Sequence, residues 1–195
     1  MNDFLFNVKY GLNHVLDING YDHVLFLMVL AVPYVFKDWK RVLLLVSLFT
    51  LGHTLSLVLA AYDVVSINGK LVEFLIPITI LIAAVYNVFT ATKTNKTTKK
   101  ISVLFFAALF FGLVHGLGFA REFTMVFGDT NNKLLALLEF ALGIEIAQVI
   151  IVFVVLFLGF IFQTIFRFSN RDWVMVLSSV VIGLVLPILI ENSIF

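Results

Sequence analysis

The run LLALLEFALGIEIAQVIIVFVVLFLGFIF, residues 134–162, decides the fold. It holds no lysine or arginine, and its only charges are Glu139 and Glu145. About 20 apolar residues in a helix cross the hydrocarbon core of a bilayer, so this run can cross with a tilt or project beyond the membrane. Similar runs lie at 21–36, 42–61, 71–91, 101–119 and 173–190. The chain is 62% hydrophobic and only 13% charged, against about a quarter charged in a soluble domain. Its mean hydropathy is +1.09. These features define an all-α integral membrane protein, a bundle of about six transmembrane helices forming a single domain over 1–195. Residues 4–16 are apolar but too few to cross, and they read as a short interfacial or partly inserted helix. Asn19-Gly20 breaks it from the first span. The twenty-two phenylalanines read as mostly lipid-facing, and Trp39 and Trp173 as interfacial anchors.

The amino terminus has neither the basic stretch nor the small-residue cleavage site of a signal peptide, so Met1 is read as the mature start. The net charge of +1 and the lack of a basic patch argue against a nucleic-acid partner. With no cysteine there is no disulfide, zinc–thiolate site or thiol nucleophile. A bound metal must use imidazole, carboxylate, carbonyl or water.

Lysine and arginine bias sets the orientation. Lys37, Lys40 and Arg41 fill the first loop, Lys93, Lys96, Lys99 and Lys100 the third, and Arg167 and Arg171 the fifth. The second loop has only Lys70, and in the fourth Arg121 and Lys133 are balanced by Glu122 and Asp129. Odd loops are therefore cytoplasmic, and both termini lie outside a multi-pass inner (plasma) membrane.

Ionisable groups inside a membrane cost at least a few kcal/mol and mark function by default. Here they are His14, Asp17, Asp22, His23, His53, Glu73, His115, Glu139 and Glu145. With the orientation fixed by loop charge alone, all four histidines fall in the outer half; His53 lies roughly 12 Å below the outer surface at helical rise. Ser47, Thr50, His53 and Ser56 recur every three residues as a polar stripe. Glu145 and Gln148 share a face, Glu139 points away from Glu145, and Glu73 and Asn87 lie close to four whole turns apart. Histidine with carboxylate suits zinc, nickel, iron or copper(II). In the adjacent pair Asp22-His23, one residue can ligate while the other supports it. Gly112, Gly116 and Gly118 serve either close helix packing or the shaping of the backbone beside His115.

Several segments together resemble the HupE/UreJ family of hydrogenase and urease accessory membrane proteins. They are His14 with Gly20-Tyr21-Asp22-His23, Phe49-Thr50-Leu51-Gly52-His53-Thr54-Leu55, and Val72-Glu73 leading to Asn87. Phe111-Gly112-Leu113-Val114-His115-Gly116-Leu117-Gly118-Phe119-Ala120 is the closest match, and Phe140 to Gln148 is similar to the fifth-span motif. Ala141 and Ala147 stand where asparagine and glycine are expected, and His14 is farther from Asp22 than usual. The resemblance implies a six- or seven-helix bundle linked to nickel or related divalent metal handling, with metalloenzyme maturation proteins as partners beside the metal ion and membrane lipid.

The expected function is thus handling or transport of a divalent cation, nickel or zinc foremost. His14, Asp22, His23, His53, His115 and Glu145 are the candidate ligands, and Glu73, Asn87 and Gln148 the residues that orient them. The alternatives are a membrane-embedded metal-dependent hydrolase at the outer leaflet, with Asp22 or Glu145 as base, and a structural or sensory metal site without turnover. Whether the protein is an enzyme stays open at this point. A continuous polar lining to the cytoplasm favours transport, and a closed floor beneath the site favours the enzyme.

Overall fold

Backbone polar groups in lipid find no water, so a long apolar segment satisfies them internally as a helix. The computed structural model describes residues 3–18, 20–65, 68–91, 99–128, 130 and 132–193, and of 99–103 the backbone alone. Asn19, Lys93, Lys96 and Asp129, and the side chains of Lys99 and Lys100, lie outside the described residues. The helices are α1 (Asp3–Val15), α2 (Asp22–Ala31), α3 (Trp39–Ala61), α4 (Gly69–Thr90), α5 (Lys99–Phe127), α6 (Lys133–Thr164) and α7 (Asn170–Glu191). A 3-10 turn at Phe36–Asp38 leads into α3. No strand occurs among the described residues. Helices α3 to α7 are each long and apolar enough to cross a membrane. Three begin at a side-chain cap: Asn68 accepts from the Lys70 amide, Asn132 from Leu135 and Ser169 from Asp172.

The expected first span over 21–36 is not one helix. Only Asp22–Ala31 is α-helical, about 15 Å at 1.5 Å per residue and too short to cross alone. The contacts with α5 explain how the chain crosses here. Phe6 packs on Phe127, Tyr10 reaches Glu122, His14 packs on Phe119, His23 on His115 and Phe26 on Phe111. As residue number rises through α1 and α2 it falls steadily along α5. The two short helices therefore run in one direction, as the halves of one interrupted crossing. Their combined helical length, about 35 Å, matches the roughly 30 Å hydrocarbon core. The segment read as interfacial or partly inserted is the first of these two aligned helices.

Two close backbone approaches fix the frame. Helices α3 and α5 run parallel, with Gly52 against Leu109 and Leu113, Gly112 against Phe49, and Gly116 against His53 and Ser56. A Cβ at Gly112 or Gly116 would fall inside the van der Waals radius of backbone oxygen on α3. Close packing is therefore what these glycines provide, and α5 runs unbroken past His115. Helices α1 and α6 meet in the same way, through Gly11 on Phe140 and Gly143 on Val8. Asn7 adds a hydrogen bond from Nδ2 to Glu139 Oε2, 2.7 Å. Asn87 on α4 donates to the Val29 carbonyl at 2.8 Å, satisfying one of the acceptors that a helix leaves open at its C-terminal end.

Many phenylalanines are exposed, as expected, but Phe26, Phe49, Phe123 and Phe140 are among the largest fully buried side chains. Trp39 is exposed, whereas Trp173 is buried against Gly159 and Phe162. In a membrane protein the core and the lipid-facing surface are equally apolar, so composition does not say which phenylalanine faces which.

Candidate metal centre

Each histidine is delivered by a different helix: His14 by the last turn of α1, His23 by the first turn of α2, His53 by the middle of α3 and His115 by α5. The interruption between α1 and α2 sets the first two ring to ring, with centroids 4.7 Å apart. His53 lies 5.8 Å from His14 and 5.7 Å from His23, and His115 lies 5.3 Å from His23. One ligand atom from each of His14, His23 and His53 falls within 4.8 Å of the other two, the one such group among the described residues. Two nitrogens on one ion in tetrahedral geometry sit roughly 3.4 Å apart, so this set has to draw in by about 1 Å to hold a metal.

Hydrogen bonding fixes the tautomers of two rings. Asp22 Oδ1 lies 3.1 Å from His23 Nδ1, and the Phe111 carbonyl lies 2.9 Å from His115 Nδ1. A carboxylate or carbonyl oxygen only accepts, so the proton sits on Nδ1 in both rings and each Nε2 presents a lone pair. Asp22 also accepts from the His23 amide at 2.8 Å, which fixes the start of α2. Asp22 therefore orients His23 and is outside the three-histidine group. The Nε2 atoms of His14, His23 and His115, and both nitrogens of His53, are buried without a hydrogen-bond partner. Buried polar groups are nearly always paired, because each bare one costs about 1–3 kcal/mol. Each ring offers one nitrogen to one ion, so His14, His23 and His53 supply three buried donors of a kind that a divalent cation fits.

The remaining candidates lie elsewhere. Glu145 accepts from Ser47 at 2.6 Å and from Thr50, and Thr50 also contacts Gln148 Oε1 at 3.0 Å. These four residues form a polar knot between α3 and α6, separate from the histidine group. The stripe on α3 divides because a three-residue step falls short of a helical turn, so the row winds around the axis. Ser47 and Thr50 meet α6, His53 joins the imidazoles and Ser56 bonds back to the His53 carbonyl at 2.9 Å. Glu73 is exposed near the start of α4, whereas Asn87 on the same helix is buried at α2. The two stand close to four turns apart on one helix, as expected, but at different burial, and no hydrogen bond joins either to an imidazole among the described residues. Sequence reasoning also passed over Glu122. It lines a cavity of about 500 Å³ with Tyr10, Asn13, His14 and Asp17, and its loop position had marked it only as a balancing charge.

Beside the histidines the surroundings are aromatic. Phe119 and Phe140 stack on one side, 5.2 Å apart and near-parallel, and both face His14. Toward the other end of the bundle Phe26 stacks on Phe49 at 4.7 Å and meets Phe111 edge-on at 5.6 Å. His115 packs against both Phe26 and Phe49. Phe26, Phe49 and Phe111 lie about one helical turn from His23, His53 and His115 along α2, α3 and α5.

The class is thus a helical membrane protein with an interrupted crossing and a buried histidine cluster at the interruption. Within that class, the profile of the HupE / UreJ protein family matches residues 1–191, essentially the whole chain, and the chain belongs to that family. No curated protein and no solved structure matches it.

Proposed function

We propose that the protein handles a divalent transition-metal cation, nickel or zinc foremost, taking it up at His14, His23 and His53 and moving it across the membrane. The observation that carries this reading is the set of buried, unpartnered imidazole nitrogens at the break between α1 and α2. Interrupted helices with ligands at the break are how secondary transporters build ion sites near the bilayer midplane. Membership in a family named for hydrogenase and urease accessory proteins supports a metal cargo. His115, one ring away from His23, is the next donor the ion meets. In this reading both termini lie outside the inner membrane, and maturation proteins of a metalloenzyme receive the cargo.

A second reading rests on the rings of Phe26, Phe49 and Phe111, taken as a floor. Three imidazoles leave a fourth position open on zinc, and a water there is acidified to a pKa of about 7. A site closed below and open above suits a hydrolase acting at the outer leaflet. For transport the same rings are the inner gate, which must part for each ion.

Uptake by proteoliposomes separates the two readings. Nickel, cobalt or zinc entering vesicles with wild-type protein but not with His23→Ala supports transport. Tightly retained zinc with no uptake of any of the three ions overturns it and favours the hydrolase.

A further inference from the structure

Resting on that reading of the histidine cluster, the way in can be located. The cavity of about 500 Å³ opens beside His14 and is lined by Tyr10, Asn13, Asp17 and Glu122 together with the break residues Leu16 and Ile18. Irregular backbone at membrane depth is tolerated where it lines a water-filled space, and Leu16, Asp17 and Ile18 of the break line this cavity. His14 reaches both environments: its ring lines the cavity, while its Nε2 is buried and unpartnered in the cluster. Among the described residues that line it, Asp17 and Glu122 are the acids and none is lysine or arginine. Glu122 is held in place by the Tyr10 hydroxyl, which donates to Oε1 at 2.7 Å. The bond spans α1 and α5, so the acid belongs to a built wall rather than to a free loop. A cavity of this size is larger than a bare ion needs and has room for an ion with its water shell.

We propose that this cavity is the mouth of the site, and that its acids admit the metal as a positively charged aqua ion and turn away metal presented as an anionic chelate. Carboxylates lining an opening raise the local concentration of cations and speed their capture, an effect that salt screens. Glu122 attracts the hydrated ion and His14 is the first group to replace a water. Glu122 is therefore a capture residue, which sets how fast the ion arrives and leaves the number held unchanged.

The test uses the full chain in nanodiscs and aqueous Co²⁺, whose visible spectrum changes when imidazole replaces water. Glu122→Gln is expected to slow cobalt association roughly three- to tenfold at low ionic strength, with the final amplitude unchanged and the difference fading at high salt. Because the chain has no cysteine, Asn13→Cys provides a single thiol at the mouth. Labelling it with a cationic methanethiosulfonate is expected to slow association, and an anionic label of similar size to slow it less or to speed it. Equal rates for wild type and Glu122→Gln, or identical effects of the two labels, overturn the mouth while leaving the histidine site standing. A wild-type protein that gives no imidazole–cobalt spectrum at all overturns the metal site itself, and the mouth with it.

Discussion

His53 is the residue where structure and function conflict most openly. It is fully buried, and neither ring nitrogen has a partner. In the metal-free protein it therefore carries the cost of bare polar atoms, about 1–3 kcal/mol for each buried group. His53→Leu removes both nitrogens and keeps most of the volume. That variant should be more stable than the wild type without metal, by on the order of 1–3 kcal/mol, and should lose the stabilisation the wild type gains from added metal. Thermal unfolding in detergent with and without Ni²⁺ checks both halves; a His53→Leu protein that metal still stabilises contradicts the assignment. At this scale the sequence was informative about chemistry and less so about partners. Four histidines in an apolar chain without cysteine pointed to an imidazole site. The adjacent pair Asp22-His23 already offered one residue as support for the other, but that Glu145 binds Ser47 and Thr50 depends on side-chain directions across two helices, which spacing along one helix does not give.

Among the elements, the α3–α5 pair holds two of the four histidines in register, and its glycines are what let the backbones touch. Gly112→Val puts a branched side chain into the backbone of Phe49, where nothing flexible can yield. It should destabilise the fold by about 3 kcal/mol or more and weaken metal binding by shifting His115 against His53. Gly183 on α7 has open space around it, and Gly183→Ala should be neutral or stabilise by up to about 1 kcal/mol through helix propensity. Chemical unfolding of the pair measures the contrast, and equal effects would remove the close approach from the account. The long helices were legible because a 20-residue apolar run has one solution in lipid. The break after α1 was legible at Asn19-Gly20. What hydropathy does not register is that the helices on either side, ending at Val15 and starting at Asp22, run on together along α5. Phe26 in the second half is one of the rings read as the floor. If that floor is an inner gate, Phe26→Ala should raise passive metal leak into proteoliposomes, whereas an unchanged leak would favour a permanently closed site.

On the scale of the whole molecule, counting α1 and α2 as one crossing gives six with the five long helices, and an even number returns both ends of the chain to one side. The cysteine-free sequence makes this directly measurable. Single thiols placed by Asp3→Cys and Ser193→Cys should both react with an impermeant maleimide from the outer face of intact spheroplasts, and neither should need permeabilisation. Reaction from opposite faces would mean that α1 and α2 do not complete a crossing. Hydropathy gave the class, since it follows from local composition, and the positive loops supply an expected orientation that this labelling tests. The convergence of His14, His23 and His53 is a property of the assembled bundle, and it is the claim on which the functional reading stands. Elemental analysis of the detergent-purified protein, grown with nickel and zinc and compared with His53→Ala prepared in parallel, tests it most directly. The account predicts metal bound to the wild type in a fixed ratio per chain and largely lost from a variant that still folds. Equal metal in both proteins would contradict it.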